Sequence, residues 1–342
     1  MRRLTIRGRV STFTGYGQMF CEIFSGMENR GVFCAVRASG VDEPFGSVVP
    51  LEIKSRFVQS VQPEEWELLV HPPTELPTPG KKTAYFTMFE STRLTKESVQ
   101  LLNMSSRVIV PCKWNEEGFR ASGVIVPISV VPLGISPQIF HFAPNRPENS
   151  KFTVGIGGRI AHGEKRKSIQ RAIDIFGKAF QHVKDVELHV KISPDDSLAP
   201  ISDNRIHVSK DHLDWSKLRK WFSEIDMFFS LATAEGFGLM QLQSMAMGRP
   251  VMAANFGGLA EFMTKENSFC LPFKEVSNPE FGGGLWSEVS DDAAIKSLLY
   301  AYTHREEIFK KGVLSAQSAS QFTWGDTVEN LYQLLNTDGA WD

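Results

Sequence analysis

Residues 232–254, ATAEGFGLMQLQSMAMGRPVMAA, decide the reading of this chain. An apolar strand ends near Thr233, Glu235 follows in a turn, and Gly236-Phe237-Gly238 leads into a helix that begins near Leu239 and is closed by Gly248. A second apolar strand, Pro250–Ala254, comes next. Strand, glycine turn, helix and strand in that order make one unit of a parallel α/β sheet. Glycines in such a turn let a ligand approach the backbone, and the helix start offers unpaired N–H groups to phosphate oxygens. A carboxylate at the strand's carboxyl end, as at Glu235, can accept hydrogen bonds from hydroxyls. Gln243 lies about one helical turn (~6 Å) beyond Leu239. The plain alternative is a β–α turn that needs glycine for geometry, with Glu235 solvated or capping.

Outward from this block the alternation continues. Phe152–Ile156, Glu187–Ile192, Arg205–Val208 and Met227–Ala232 read as strands, and Ser168–Phe180, Asp214–Phe222 and Leu239–Met247 as helices. Upstream, Leu4 and Ile6 alternate with Arg3, Thr5 and Arg7 as a strand. A loop with two glycines follows (Ser11 to Gly17), then Met19, Phe20, Ile23, Phe24 and Met27 at helical spacing, with Gly31 at the C-terminal cap. Val32–Val36, Thr83–Phe89, Val108–Val110 and Ile128–Pro132 read as further strands, and Lys96–Asn103 and Asn115–Ser122 as helices. Residues 71–80, with four prolines, are irregular, and Gly134–Ser150, with Pro137, Pro144 and Pro147, reads as a linker. The expected organisation is a Rossmann-like domain over 1–134, a linker over 135–150 and a second Rossmann-like domain over 151–325. A closing helix within 326–342, about Thr327–Leu335, is expected to pack back on the first domain. In open parallel sheets, ligands bind beyond the carboxyl ends of the strands.

A second constellation is Gly157-Gly158-Arg159 at a strand end, followed by Lys165, Arg166 and Lys167 before a helix. Arginine supplies a planar fork and lysine a point charge, a pairing suited to a diphosphate, although a charge run is usually a solvated loop. A third is Thr14-Gly15-Tyr16-Gly17, which lacks the full Gly-x-Gly-x-x-Gly spacing. Asp195-Asp196 and Asp291-Asp292 form no Asp-x-Asp pair after a strand, and no two of the eight histidines stand at metal-ligand spacing, so no metal is expected. His162, between Arg159 and Lys165, reads as an ordinary loop histidine, although its position alone among the eight places it beside the basic run.

Composition bounds the rest. The 342 residues are 42% hydrophobic and 22% charged, with 37 Lys+Arg against 39 Asp+Glu, so the chain has material for two cores and is not disordered by composition. No run reaches the ~18 apolar residues of a membrane span, and the basic start MRRLTIRGRV has no apolar region of a secretory signal. Cys21, Cys34, Cys112 and Cys270 form no Cys-x-x-Cys pair, which suits a reducing cytoplasm. Cytoplasmic location without integral membrane contact is therefore expected.

Together these pieces resemble the retaining glycosyltransferases of the GT-B fold, glycosyltransferase family 4 (glycosyl transferases group 1). The likeness runs through FESTRLTKESVQLLNMSSRVIVPCKWNEEGFRASGV (89–124), VVPLGI (130–135), GGRI with a downstream lysine (157–167), EGFGL…MAMGRPVMA (235–253), GGLAEF (257–262) and FTW (322–324). It implies two Rossmann-like domains facing across a cleft and transfer of a sugar from a UDP- or GDP-sugar co-substrate to an acceptor hydroxyl. That acceptor could be a glycan, a lipid, a protein or a modified DNA base. The resemblance also implies same-face attack, with the departing phosphate oxygen assisting deprotonation, and no metal. It assigns Glu235 to the donor sugar and Arg159 with Lys167 to the diphosphate. Lys165 takes that role if distance from Arg159 decides rather than helix register. Gly158 and the Gly236, Phe237, Gly238 and Leu239 turn line the donor, Gly15, Tyr16 and Gly17 approach its phosphates from the first domain, and Glu90 lines the site. The family's second glutamate, on the nucleotide ribose, is replaced by Gln243, an uncharged amide that can still bond vicinal hydroxyls. Three other readings remain: a glycosyltransferase acting on hydroxymethylated DNA bases, an inactive sugar-nucleotide-binding protein, and an epimerase or phosphorylase. For the first, residues 1–135 hold 15 basic and 13 acidic residues, a weak excess for tracking phosphates.

Overall fold

The computed structural model describes residues 2–11, 14–39, 49–58, 66–143, 146, 150–160, 164–278 and 283–341. His162 and two prolines of the expected linker, Pro144 and Pro147, lie outside the described residues. The chain divides into two compact units, one of Met1–Gly134, Asn278–Gly284 and Phe322–Asp342, the other of Ile135–Ser277 and Leu285–Gln321.

In the first unit the elements run β1 (Arg2–Gly8), α1 (Gly15–Asn29), β2 (Val32–Ala38), α2 (Leu51–Lys54), β3 (Trp66–Val70), β4 (Thr83–Phe86), α3 (Lys96–Leu102), β5 (Arg107–Val110), α4 (Lys113–Ser122) and β6 (Ile128–Val130). They build a parallel sheet of order β2-β1-β3-β4-β5-β6. Helix α1 starts at Gly15, so the two glycines belong to its first turn and not to a loop. The Thr14 hydroxyl accepts from Gly17 N–H as an N-cap, and a Cβ on Gly17 would stand 2.0 Å from the Ser11 carbonyl oxygen. Its apolar stripe, Met19, Phe20, Ile23, Phe24 and Met27, is buried, and Gly31 takes the left-handed conformation (φ 74°) just past the helix end.

Strand β3 was not legible in the pattern. It lies at the sheet's centre, and all five residues are buried, Glu67 among them. That carboxylate is stabilised by Arg7 Nε at 3.0 Å, by Thr78 through its hydroxyl (2.6 Å) and N–H (3.0 Å), and by the Thr83 hydroxyl at 3.2 Å.

The second unit runs β7 (Phe152–Gly157), α5 (Glu164–Lys167), α6 (Ile169–Ala179), β8 (Val186–Lys191), β9 (Ile206–Ser209), α7 (Trp215–Ser223), β10 (Met227–Phe229), α8 (Leu239–Ala246), β11 (Val251–Ala254), a 3-10 turn (Gly257–Glu261), β12 (Phe269–Leu271), a two-stranded sheet of β13 (Lys274–Asn278) and β14 (Gly284–Glu288) whose Asn278 and Gly284 ends fall in the first unit, α9 (Asp291–Thr303) and α10 (Arg305–Ala319). Its parallel sheet has the order β12-β11-β10-β7-β8-β9. Residues 135–143, expected within the linker, include buried Phe140, whose ring stands edge-on to Trp215 and Phe222. Asp291 and Asp292 occupy the first turn of α9, where Asp291 pairs with Arg171 and Lys178. Helix α11 (Trp324–Thr337) belongs to the first unit, where Val328 occupies the space beside Gly26 of α1.

Candidate functional site

The decisive turn departs from its expected form. Strand β10 ends at Phe229 rather than Ala232, because the following residues pair elsewhere. Thr233 N–H donates to the Arg166 carbonyl (2.8 Å), and both the N–H and the hydroxyl of Ser287 donate to the Thr233 carbonyl (2.8 Å each). The chain thus leaves the sheet toward α5 and carries Glu235 with it.

Two glycines hold the turn in place. Gly258 N–H donates to the Glu235 carbonyl at 2.8 Å, and a Cβ on Gly258 would stand 2.4 Å from Phe237 Cα and 2.5 Å from the Gly236 oxygen. Gly238 adopts a left-handed conformation (φ 99°) that a side chain would strain. Phe237 is buried against Phe262.

Lys165–Lys167 form a one-turn helix rather than a loop, and Ser168 after it is the single non-glycine residue with positive φ (51°) among the described residues. That left-handed residue separates α5 from α6, and the cations preceding it meet Glu235. Lys167 Nζ lies 2.6 Å from Glu235 Oε1, Arg166 Nη1 lies 3.5 Å from Oε2 and donates to the Ala234 carbonyl at 3.2 Å, and Gln241 Nε2 donates to Oε1 at 3.3 Å. Glu235 is 7% exposed. Burial works against its charge, yet Lys167 and then Arg166 more than offset this and hold the carboxyl below the ordinary carboxylate range.

The Lys167 stem also passes Gly158, where a Cβ would stand 3.4 Å from Lys167 Cδ. One lysine therefore joins the Gly157–Arg159 strand end to the Glu235 turn, while Lys165 is exposed. Arg159 makes a long ion pair with Asp195 (3.5 Å), and its Nε is buried with no hydrogen-bond partner among the described residues. Asp196 braces the same corner by accepting from Ile160 and Ser193 N–H. Gln243 is buried within α8.

In the first unit, the Tyr16 hydroxyl donates to the Met88 carbonyl (3.0 Å) and lies 3.3 Å from the Thr87 hydroxyl. Burial, then the charge of Glu90, push its pKa far up. Tyr16 and Gly17 are thus engaged in packing α1 against its own sheet, while no atom of the described residues lies within 4 Å of a Cβ on Gly15.

Sequence reading missed three members of this neighbourhood. Gln241 sits in a helix read for its apolar face. Lys191, at the carboxyl end of β8, accepts a hydrogen bond from Gly158 N–H through its carbonyl, and burial lowers the pKa of its ammonium. His212 is lowered by burial and then by Lys191, with Arg159 also acting on it. The signal available for Lys191 was a charge closing an otherwise apolar strand.

Residues 151–278 match the family model described as Glycosyl transferases group 1. The whole chain has the GT-B fold of glycosyltransferases, which solved structures show at low sequence identity. Sucrose-phosphate synthase of Thermosynechococcus elongatus matches with a TM-score of 0.74 at 12% identity, over 99% of this chain and 100% of that one. HepE of Anabaena, solved with UDP and glucose, matches with a TM-score of 0.66 at 13% identity, over 98% and 100%. A glycosyltransferase of Rickettsia africae matches with a TM-score of 0.68 at 11% identity, over 98% of each chain. No curated protein sequence matches the chain. Arg159 follows strand β7, the Glu235 turn follows strand β10, and Lys167 pairs with Glu235 between them. No helix among the described residues is long and apolar enough to cross a membrane.

Proposed function

We propose that the chain transfers a glycosyl group from a nucleotide-diphosphate sugar to an acceptor hydroxyl, with retention at the anomeric carbon. The observation that carries this reading is the Glu235 carboxylate, buried yet held ionised by Lys167 and Arg166 at a glycine turn that opens helix α8. An isolated buried charge is costly, so a carboxylate kept this way at a strand's carboxyl end suits polar recognition of sugar hydroxyls. Arg159 brings a buried Nε donor that meets no acceptor among the described residues, which suits a phosphate oxygen. In the reaction, the bond from the anomeric carbon to the diphosphate oxygen breaks. The acceptor oxygen bonds to that carbon on the same face, and its proton passes to the departing phosphate. Lys167, Arg159 and the amides after Gly236 stabilise the charge that grows on the leaving group. UDP-sugars are the favoured donors, on the strength of HepE being solved with UDP and glucose. The acceptor is any of the hydroxyl classes named above, and cytoplasmic action fits four cysteines that are all free.

Thermal-shift measurements with UDP-, GDP- and ADP-sugars test the donor, because a ligand at 100 times its dissociation constant adds ~2.7 kcal/mol of stability. The hit is then incubated with acceptors, and the anomeric configuration of the product is read by NMR. Stabilisation by a UDP-sugar and a product of retained configuration are expected. Inversion would remove the retaining mechanism, and indifference to every sugar nucleotide would remove the reading as a whole.

A further inference from the structure

Strands β8 and β9 bring together three side chains of types that can ligate a metal, two from β8 and one from β9. His189 and His207 are in-register partners across the two parallel strands, and Glu187 precedes His189 by two residues. The period of two places all three on one face of the sheet. It is the face of α7, since Gly155, the in-register neighbour of His189 on β7, points toward Trp221 and Ile225. His189 Nε2 lies 3.7 Å from Glu187 Oε2 and His207 Nε2 lies 3.7 Å from Glu187 Oε1, and one ligand atom from each residue lies within 4.8 Å of the other two. The imidazole planes stand at 85° with centroids 5.3 Å apart, so they are not stacked, and no hydrogen bond to either ring is found among the described residues.

We propose that Glu187, His189 and His207 bind one borderline divalent transition-metal ion of the Zn2+ class, which ties edge strand β9 to β8. Two imidazoles and a carboxylate are a donor set that Zn2+ and its congeners accept, leaving a fourth position to water. Tetrahedral ligands at 2.0–2.2 Å from such an ion stand roughly 3.3 Å from one another, so the observed spacings close by small rotations about side-chain bonds. Both ligand-bearing strands are fixed by the ladder, which limits the ordering needed on binding. Lys151, on the other side, pairs with Glu187 Oε1 at 2.8 Å. That lysine is exposed, and its pair, screened by water, is one a multiply charged ion displaces. The linear spacing of 187, 189 and 207 conceals the site, because only strand pairing closes it.

The test uses the full chain, freed of any affinity tag. Cobalt(II) titration should give the intense visible absorption of a tetrahedral site, and zinc calorimetry should give one equivalent. His207→Ala, on the exposed edge, should weaken zinc binding by about tenfold or more and abolish the cobalt absorption, as should His189→Ala. Amides of residues 206–209 should exchange with solvent more slowly when zinc is bound. Absence of the cobalt absorption overturns the site, as does zinc binding that is equal in the unaltered chain and the His189→Ala/His207→Ala variant. Unchanged exchange in β9 overturns the tie between the strands.

Discussion

Lys167 Nζ and Glu235 Oε1 are 2.6 Å apart, and this contact joins the basic turn after β7 to the glycine turn after β10. The lysine both neutralises the carboxylate and borders Gly158, so its loss should be felt on two sides. Lys167→Ala and Arg159→Ala are each expected to lower transfer by ~10²-fold or more, the scale of removing a preorganised charge donor. Steady-state rates with the donor found by thermal shift check this. Near-normal turnover in both variants would remove these residues from the site. Lys165→Ala, at an exposed position, should leave the rate within a few-fold.

Glu235→Gln keeps the volume and removes the charge. Two cations, Lys167 and Arg166, then face an amide in a largely buried place. A loss of about 2 kcal/mol of unfolding free energy is expected, the range for hydrogen bonds to charged groups, together with a fall in turnover larger than the loss of nucleotide affinity. Urea denaturation and UDP calorimetry measure the two effects. An equal loss of UDP binding would place Glu235 on the nucleotide rather than the sugar.

The lowered pKa of Glu235 has a signed consequence. The unfolded chain binds a proton at this carboxyl near the ordinary value of ~4.3, more readily than the folded chain does. The stability contributed is therefore complete above that value and disappears as pH falls through the lowered folded value. The difference in unfolding free energy between the unaltered chain and Glu235→Gln should be constant from neutrality down to about pH 5 and narrow toward pH 3. A difference that stays constant into that acid range would show a carboxyl of ordinary acidity.

The alternating sheets were readable because buried parallel strands carry apolar runs, as at Val108–Val110 and Val251–Ala254. β3 escaped because Glu67 interrupts Trp66–Val70, and only the paired Arg7, Thr78 and Thr83 make its burial tolerable. Glu235 was singled out through glycine spacing and Lys167 through the family resemblance, but the ion pair between them left no mark in the sequence. Gln241 was not singled out and Arg166 was read only as part of the charge run, since their reach to Glu235 depends on the left-handed Ser168 and on β10 ending three residues early. The Glu187, His189 and His207 cluster was hidden for a different reason, because register between strands has no trace in linear spacing.

Two glycines should respond to the same substitution with opposite sign. Gly177, inside α6, has nothing within 4 Å of a Cβ, and Gly177→Ala should stabilise the chain by about 0.5–1 kcal/mol through helix propensity. Gly258 has backbone atoms of Phe237 and Gly236 at 2.4 and 2.5 Å from the same position. Backbone cannot yield as a side-chain end can, so Gly258→Ala must push the Glu235 turn out of place. A loss of about 1–3 kcal/mol is expected, as for overpacked interiors, with a fall in transfer greater than the stability loss alone produces at a temperature where the variant stays folded. Urea denaturation of both variants, with transfer rates measured on the folded protein, decides the matter. Equal and small effects at the two positions would mean that the turn is not held by the close approach of Gly258.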